Sequence, residues 1–161
     1  MFSAMEIYQT HLDAMTRAIM ARDFDTVLSL VIYPLSIDTS DAQIVIDNDD
    51  DMRTSAEAYC SAIAAIQVRD FHRIAIEAQF DPVVPGCLHG RHRSHMLRGA
   101  EFIVPPFEND TTLFERDGRW RVQNLQAKIL NRDLTIISPK LIAQKMTRDA
   151  APAPSAPTQG N

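Results

Sequence analysis

The segment TTLFERDGRWRVQ, residues 111–123, is the most informative part of the sequence because it places a two-residue turn between two runs of strand-forming residues. Its central Asp-Gly pair can take positive φ at both positions, and so forms the type I′ turn whose twist suits the strands around it. Counting outward from the turn pairs Glu115 with Trp120 and Leu113 with Val122, which places these side chains on one face. The sequence therefore predicts an antiparallel hairpin at this point.

The residues after the hairpin decide which side chains face a pocket. Continuing the count along the second strand places its polar residues on the face of Trp120: Asn124, Gln126 and Lys128. A bulge after Val122 is the alternative, and it would turn these residues outward and bring Leu125 inward. Neither face of the hairpin is wholly polar, which indicates that the rest of the domain covers one face and a second subunit the other. We therefore expect a homodimer that forms through the sheet.

Two more long strands precede the hairpin. In the first, residues 71–80, Ile74 and its alternate neighbours point one way and Arg73 points the other, which predicts an apolar core face and a polar face. The second, residues 87–104, is too long to be straight, and Gly99 is the expected bend. Together with the hairpin, these strands predict a curved antiparallel sheet.

The N-terminal half has the pattern of helices and one small hairpin. Apolar residues at spacings of three and four predict an amphipathic helix from Ser3 to Ala21, with Ser3 in a capping box. Asp23 is placed to cap a short second helix, which Pro34 prevents from continuing. This second helix covers residues 24–31. A small hairpin at residues 35–39 and 43–47 and a third helix at residues 52–67 follow it.

The acidic run at residues 47–51 resembles a calcium loop, but it lacks the glycine and the distal glutamate of an EF-hand. It directly precedes the third predicted helix, whose dipole favours negative charge at its N-terminus. We interpret the run as helix capping.

The composition is that of one globular domain. The chain has 161 residues, of which 45% are hydrophobic and 23% are charged, and its formal net charge is −5. This charge disfavours nucleic acid and anionic membranes as partners, and the longest apolar run, residues 27–37, is too short to span a bilayer. No secretion signal is visible, which predicts a cytoplasmic protein. We expect a single domain over residues 1–148 and a disordered tail rich in Pro and Ala over residues 149–161.

The order of the predicted elements resembles the NTF2-like or SnoaL-like superfamily: helix, short helix, small hairpin, helix, and long strands that end in Gly118-Arg-Trp120-Arg-Val122. The resemblance covers residues 3–130. It implies an α+β fold in which a curved mixed or antiparallel sheet forms a cone around N-terminal helices and encloses a pocket. The superfamily includes ketosteroid isomerase, polyketide cyclases, scytalone dehydratase and noncatalytic association domains, so the fold alone does not select a chemistry.

The resemblance leaves three functions open. The first is a domain that binds a small, largely apolar molecule in the cone pocket, with no assigned catalysis and no cofactor. The second is an isomerase, dehydratase or cyclase of the ketosteroid isomerase type, for which the resemblance implies Asp38 as the base and Tyr8 or His92 as the polarising donor. An exposed Asp38 that closes its strand is the alternative interpretation of that residue. The third is a noncatalytic dimerisation or interaction domain whose own side chains fill the pocket.

Three histidines lie in the run HGRHRSH, residues 89–95. Strand alternation places His89 and His95 on one face, roughly 20 Å apart, so a straight strand does not let them share a metal ion. The arginines between them form an ordinary surface or, alternatively, an anion site. His92 lies on the opposite face, which we expect to point inward, where an imidazole can act as an acid, a base or a hydrogen-bond donor.

The two cysteines, Cys60 and Cys87, lack the spacing of a zinc site or a redox pair, and we expect buried thiols. We therefore predict no metal site. The expected pocket residues are Tyr8, His92, Trp120, Asn124 and Gln126.

Overall fold

The computed structural model describes residues 1–150, and side chains as far as residue 147. The helices are α1 (Ala4–Met20), α2 (Phe24–Ser29), α3 (Asp49–Ala65) and α4 (Pro139–Ala150). The strands are β1 (Val31–Asp38), β2 (Gln43–Ile46), β3 (Asp70–Phe80), β4 (Cys87–Arg98), β5 (Glu101–Phe102), β6 (Phe107–Arg116) and β7 (Arg119–Ala127). Residues 151–161, which make up most of the predicted tail, lie outside the described residues.

The strands of the described region form one mixed sheet in the order β2-β1-β7-β6-β4-β3, and β5 pairs with the end of β4. β1 runs parallel to β7, whereas the other pairs are antiparallel. α1 lies against β3, β4 and β7, and α3 lies beside α1 and α2. This arrangement confirms the predicted α+β fold, in which a curved sheet forms a cone around the N-terminal helices.

The hairpin between β6 and β7 has the predicted register. Glu115 pairs with Trp120 and Leu113 with Val122. The two turn residues both have positive φ, 52° at Asp117 and 74° at Gly118, as a type I′ turn requires. The local sequence is therefore sufficient to set the register next to the turn.

β7 contains the bulge after Val122 that the sequence left open as an alternative. Leu113 pairs with Val122, but the next pair joins Thr112 to Asn124, so Gln123 is the extra residue. An extra residue reverses the alternation of side chains along the strand. Leu125 consequently points into the core side of the sheet, and Asn124 points to the outer face.

A second bulge overturns the predicted faces of β3. Ala75 pairs with His92 and Glu77 with Arg91, which leaves Ile76 as the extra residue. Before this bulge the inner positions are occupied by residues of the predicted polar face, including Arg73, while Ile74 is 53% exposed. Gln9 of α1 contributes to this arrangement because its side-chain amide bonds the carbonyl of Arg73 and the N–H of Ala75.

The predicted caps of the first two helices are present. Ser3 and Glu6 form a reciprocal capping box at the start of α1, and Asp23 accepts a hydrogen bond from the N–H of Thr26 in α2. α2 ends at Ser29, and Pro34 lies within β1, where the pairing with β7 is irregular. A strand irregularity tolerates proline because no ladder hydrogen bond from its nitrogen is needed. The strand therefore begins earlier than the predicted Leu35.

The acidic run caps α3, but the helix begins at Asp49, within the run, and not at the predicted residue 52. Asn48 is the N-cap residue, and its side chain accepts a hydrogen bond from the N–H of Asp51. Three aspartates occupy the first turn of the helix, where the dipole favours their charge.

The segment between β7 and α4 closes part of the core. The Asn131 side chain accepts hydrogen bonds from the N–H groups of Ile136 and Ile137 and donates one to the carbonyl of Ile137. This local scaffold holds Ile136 and Ile137 in the interior. Among the described helices, none combines the length and the apolar character needed to cross a membrane.

Candidate functional site

A cavity of about 90 Å³ lies between the helices and the inner face of the sheet. Most of its wall is aliphatic and comes from α1, α3, β1 and β7, including Met15, Leu35 and Ile37. Its polar lining residues are His11, Ser55, Tyr59, Arg73, His92 and Thr111. The site is therefore an apolar chamber with a limited set of polar side chains, which is the usual make-up of a small-molecule site.

His92 lies on β4 between Gly90 and Ser94, and all three residues are buried on the inner face as predicted. The hydroxyl of Tyr8 lies 2.5 Å from Nδ1 of His92. Burial and, to a smaller degree, the positive charge of Arg73 lower the pKa of His92 to about 2. Burial raises the pKa of Tyr8. Both side chains are therefore neutral at pH 7, and the phenol can donate to Nδ1 of the imidazole tautomer that carries its hydrogen on Nε2.

Arg73 brings a positive charge to this cavity. Its guanidinium lies 4.7 Å from the centre of the Phe71 ring, and Nη2 is 3.4 Å from the hydroxyl of Tyr59. Among the side chains that the structure describes, none forms a carboxylate ion pair with Arg73. A cation that faces an apolar chamber without a carboxylate partner is available to an anionic group of a ligand.

His11 lies between the cavity and the surface. Its Nδ1 is 3.3 Å from the carbonyl of Trp120, which accepts the hydrogen bond and leaves Nε2 as an acceptor. Burial lowers the pKa of His11 to about 4, so this imidazole is also neutral at pH 7. His11 also lines a surface groove of about 600 Å³. It therefore separates the inner cavity from that groove.

The hydroxyl of Thr111 is the other notable polar group. Thr111 lies on β6 and lines the cavity, and its buried Oγ1, which lies beside the Tyr8 hydroxyl, makes no hydrogen bond of good geometry within the described region. A buried hydroxyl without a partner is unfavourable by about 1–3 kcal/mol. A ligand oxygen in the cavity would satisfy it.

The structure brings two of the predicted site residues together. Tyr8 and His92 form the hydrogen-bonded pair described above, and His92 lines the cavity. Trp120 lies in the wall of the surface groove, where its ring centre is 6.1 Å from that of Phe80. Trp120 contacts the inner site through its backbone carbonyl, which bonds His11.

The other three predicted residues lie on the outer face of the sheet. The prediction that they line the inner pocket is therefore wrong. Asn124 and Gln126 line an outer groove of about 340 Å³ because the bulge at Gln123 turns them outward. Asp38 pairs with Gln126 and follows Ile37, which faces the cavity, so strand alternation directs Asp38 outward.

Five polar residues of the cavity wall were not among the predicted site residues: His11, Ser55, Tyr59, Arg73 and Thr111. Tyr59 falls within the predicted third helix, at a spacing from Met52, Ala56 and Ile63 that places these side chains on one face, so its signal is present in the sequence. Arg73 had no such signal, because its inward position depends on the bulge at Ile76.

Comparisons with solved structures place this arrangement among known folds. A protein of unknown function from Mycobacterium tuberculosis is similar with a TM-score of 0.55 and 18% identity, over 75% of this chain and 68% of that one. An NTF2-like protein of unknown function from Shewanella oneidensis gives a TM-score of 0.57 and 10% identity, over 76% and 97%. An NTF2-like protein from Streptomyces avermitilis, named provisionally as a dehydratase, gives 0.57 and 12%, over 78% and 95%.

Neither family models nor curated proteins match the sequence. The structural similarity nevertheless shows that this chain has the NTF2-like fold, as the order of its elements predicted. Because the identities are low, the similarity supports the fold and leaves the chemistry to the site itself.

Proposed function

We propose that this domain binds a small, largely apolar molecule that carries a carboxylate, and that it does so in the inner cavity. The observation that carries the proposal is Arg73, a cation without a carboxylate partner in the described region, at the wall of an otherwise mainly aliphatic chamber. An anionic oxygen there gains a charge-assisted hydrogen bond, and the alkyl part of the ligand gains apolar contact.

The neutral groups around Arg73 support the same ligand class. The hydroxyls of Tyr59 and Thr111 can donate hydrogen bonds to a carboxylate. His92 can donate from Nε2 when its Nδ1 accepts from Tyr8. Several donors with one cation favour an acceptor-only group over an amine or an amide.

The volume of the cavity limits the ligand. Sites for drug-sized ligands measure about 300–1,000 Å³, and a cavity of about 150 Å³ holds benzene. The chamber of about 90 Å³ therefore suits a compact acid of a few heavy atoms. Propionate is a suitable probe because it joins a carboxylate to a short alkyl group.

The proposal is tested by titrating propionate into the ¹⁵N-labelled protein and following amide chemical shifts, with 1-propanol as the neutral control. We expect saturable shifts at residues 92 and 111 with propionate and much weaker shifts with 1-propanol. Shifts confined to the outer groove, or no saturation, would contradict the proposal. An absence of saturation would favour a noncatalytic interaction domain whose own side chains fill the cavity.

We assign no reaction to the domain. Catalysis of the ketosteroid isomerase type needs a carboxylate base that faces the substrate. Asp38 follows the cavity residue Ile37 on β1 and has the opposite orientation, so the site gives no support to Asp38 as that base.

We also propose that the domain forms a homodimer through the outer face of the sheet. Ile74 and Ile76 on β3 support this because they are 53% and 46% exposed. Light scattering at micromolar concentration should give the dimer mass, and Ile74→Glu should shift it towards the monomer. Val83→Glu, in the turn after β3, is the control. A monomer in the unsubstituted protein would contradict the proposal.

A cytoplasmic location stays a prediction.

A further inference from the structure

A cluster of metal-ligand side chains lies at the turn between β3 and β4, on the outer side of the sheet and apart from the inner cavity. Cys87 and His89 are two residues apart on β4 and therefore share one face. Asp81 follows β3 and reaches the same point. One ligand atom from each of these three residues lies within 4.8 Å of the other two.

The imidazole of His89 lies close to both of the other ligand atoms. Nε2 of His89 is 2.8 Å from Oδ2 of Asp81 and 3.8 Å from Sγ of Cys87. In a tetrahedral zinc site these separations would be about 3.3 Å for nitrogen to oxygen and about 3.6 Å for nitrogen to sulfur, from metal–ligand bonds of 2.0–2.3 Å. These two separations therefore differ from those of a zinc site by about half an ångström or less, and the third, between the ligand atoms of Asp81 and Cys87, is within 4.8 Å.

The structure also orients the ligand atoms. Oδ1 of Asp81 accepts hydrogen bonds from the N–H groups of Val83 and Val84, both at 2.8 Å, which directs Oδ2 towards His89. Nδ1 of His89 lies 3.3 Å from Oγ1 of Thr112. A partner for the second imidazole nitrogen is what metal-ligating histidines typically have, because it fixes the ring and leaves the other nitrogen for the metal.

We propose that Asp81, Cys87 and His89 bind Zn²⁺ or a divalent cation of similar softness. A thiolate and an imidazole favour such a metal over Mg²⁺ or Ca²⁺, which prefer oxygen ligands. The thiolate and the carboxylate neutralise the charge of the ion, and the thiol proton of Cys87 is released to solvent on binding. His89 also lines the outer groove, so water from that groove supplies the fourth ligand.

The proposal departs from the expectation of no metal site, and the reason lies in the third ligand. The spacing of Cys87 and His89 is not that of a zinc motif, and Asp81 joins them only because Pro82 to Gly86 turns the chain back. Without a metal, the same contacts are a hydrogen bond between Asp81 and His89 beside a buried thiol. A measurement must therefore detect the thiolate–metal bond itself.

The test is a titration of the full chain, stripped of metal and kept reduced with a non-thiol reductant, with Co²⁺ as a spectroscopic substitute for Zn²⁺. We expect a thiolate-to-cobalt charge-transfer band that saturates at one equivalent and disappears when Zn²⁺ is added. Cys87→Ser should abolish the band. Cys60→Ser is the matched control, because Cys60 is the other buried cysteine, and it should leave the band intact.

His89→Gln should weaken Co²⁺ binding at least tenfold, whereas His95→Gln, on the same face of β4, should not. Far-UV circular dichroism of each metal-free variant checks that it is folded, and retention of the fold in Cys87→Ser makes its loss of the band informative. The proposal is overturned if the unsubstituted chain gives no band at stoichiometric Co²⁺. It is also overturned if the band survives Cys87→Ser or depends on Cys60.

Discussion

The ring of Tyr8 lies against the backbone of Gly90, so closely that a Cβ atom at residue 90 would stand 2.4 Å from Cε1 of that ring. Gly90 is thus required for the close approach of a helix side chain to β4. The same approach places the Tyr8 hydroxyl against Nδ1 of His92, two residues further along the strand. The local geometry of the inner site therefore depends on this contact.

Gly90→Ala should destabilise the protein by about 1–3 kcal/mol, because the added methyl group overpacks the Tyr8 ring. Chemical denaturation measures the change. In a Tyr8→Ala background, the same substitution should be neutral or stabilising, since alanine is otherwise better than glycine in a strand by roughly 0.5–1 kcal/mol. Equal destabilisation in both backgrounds would show that Tyr8 is not the obstacle.

Tyr8→Phe should cost about 1–3 kcal/mol of unfolding free energy, because it removes the hydroxyl and leaves a buried Nδ1 of His92 unpaired. Tyr33→Phe is the matched control. The hydroxyl of Tyr33 bonds Asp49 at an exposed position, where water replaces it, and its loss should cost less than about 1 kcal/mol. Denaturant titration of both variants checks the difference. Equal costs would place the Tyr8 hydroxyl in contact with solvent.

Stability should fall as the pH falls below about 6.5. Burial lowers the pKa of His11 to about 4 and that of His92 to about 2, so between pH 6.5 and about 4 each imidazole is charged in the unfolded chain and neutral in the folded one. The unfolded state then binds more protons, and each histidine contributes a loss of up to about 1.4 kcal/mol per pH unit.

Denaturation between pH 5 and pH 6.5 measures this slope, because the aspartates with lowered pKa values, Asp23, Asp41 and Asp81, titrate below that range. His11→Gln should reduce the slope by about half, because it removes one of the two buried imidazoles whose pKa is lowered. An unchanged slope in His11→Gln would mean that this imidazole is accessible to protons in the folded state.

Asp38→Asn should leave propionate affinity within about twofold of the unsubstituted protein, because Asp38 faces away from the cavity. Thr111→Val should weaken binding by about fivefold, since it removes a buried hydroxyl available to the carboxylate. Isothermal titration calorimetry compares the two variants. A large loss of propionate affinity in Asp38→Asn would show that Asp38 contributes to the inner site.

The parts of the fold that follow from local rules were predictable from the sequence. The turn at Asp117 and Gly118 fixes its own register, and the alternation in β4 separates His92 from its outward neighbours, as observed. These features depend only on residues close in sequence.

The two bulges were not predictable in this way. The sequence leaves the bulge at Gln123 open as one of two alternatives, and it gives no sign of the bulge at Ile76. Each extra residue exchanges the two faces of the strand beyond it, and its position depends on the neighbouring strand and on α1. For this reason, Asn124 was expected inside the cone and Arg73 outside, and both positions are reversed.

If Arg73 makes the inner cavity a site for a small carboxylate, propionate affinity should differ between Arg73→Gln and Arg93→Gln. Both variants remove one arginine from the sheet, but Arg93 lies on the outer face and pairs with Glu108. Calorimetry should show at least about a tenfold loss of affinity in Arg73→Gln, which corresponds to about 1.4 kcal/mol, and little change in Arg93→Gln. Equal affinities in the two variants would contradict the claim.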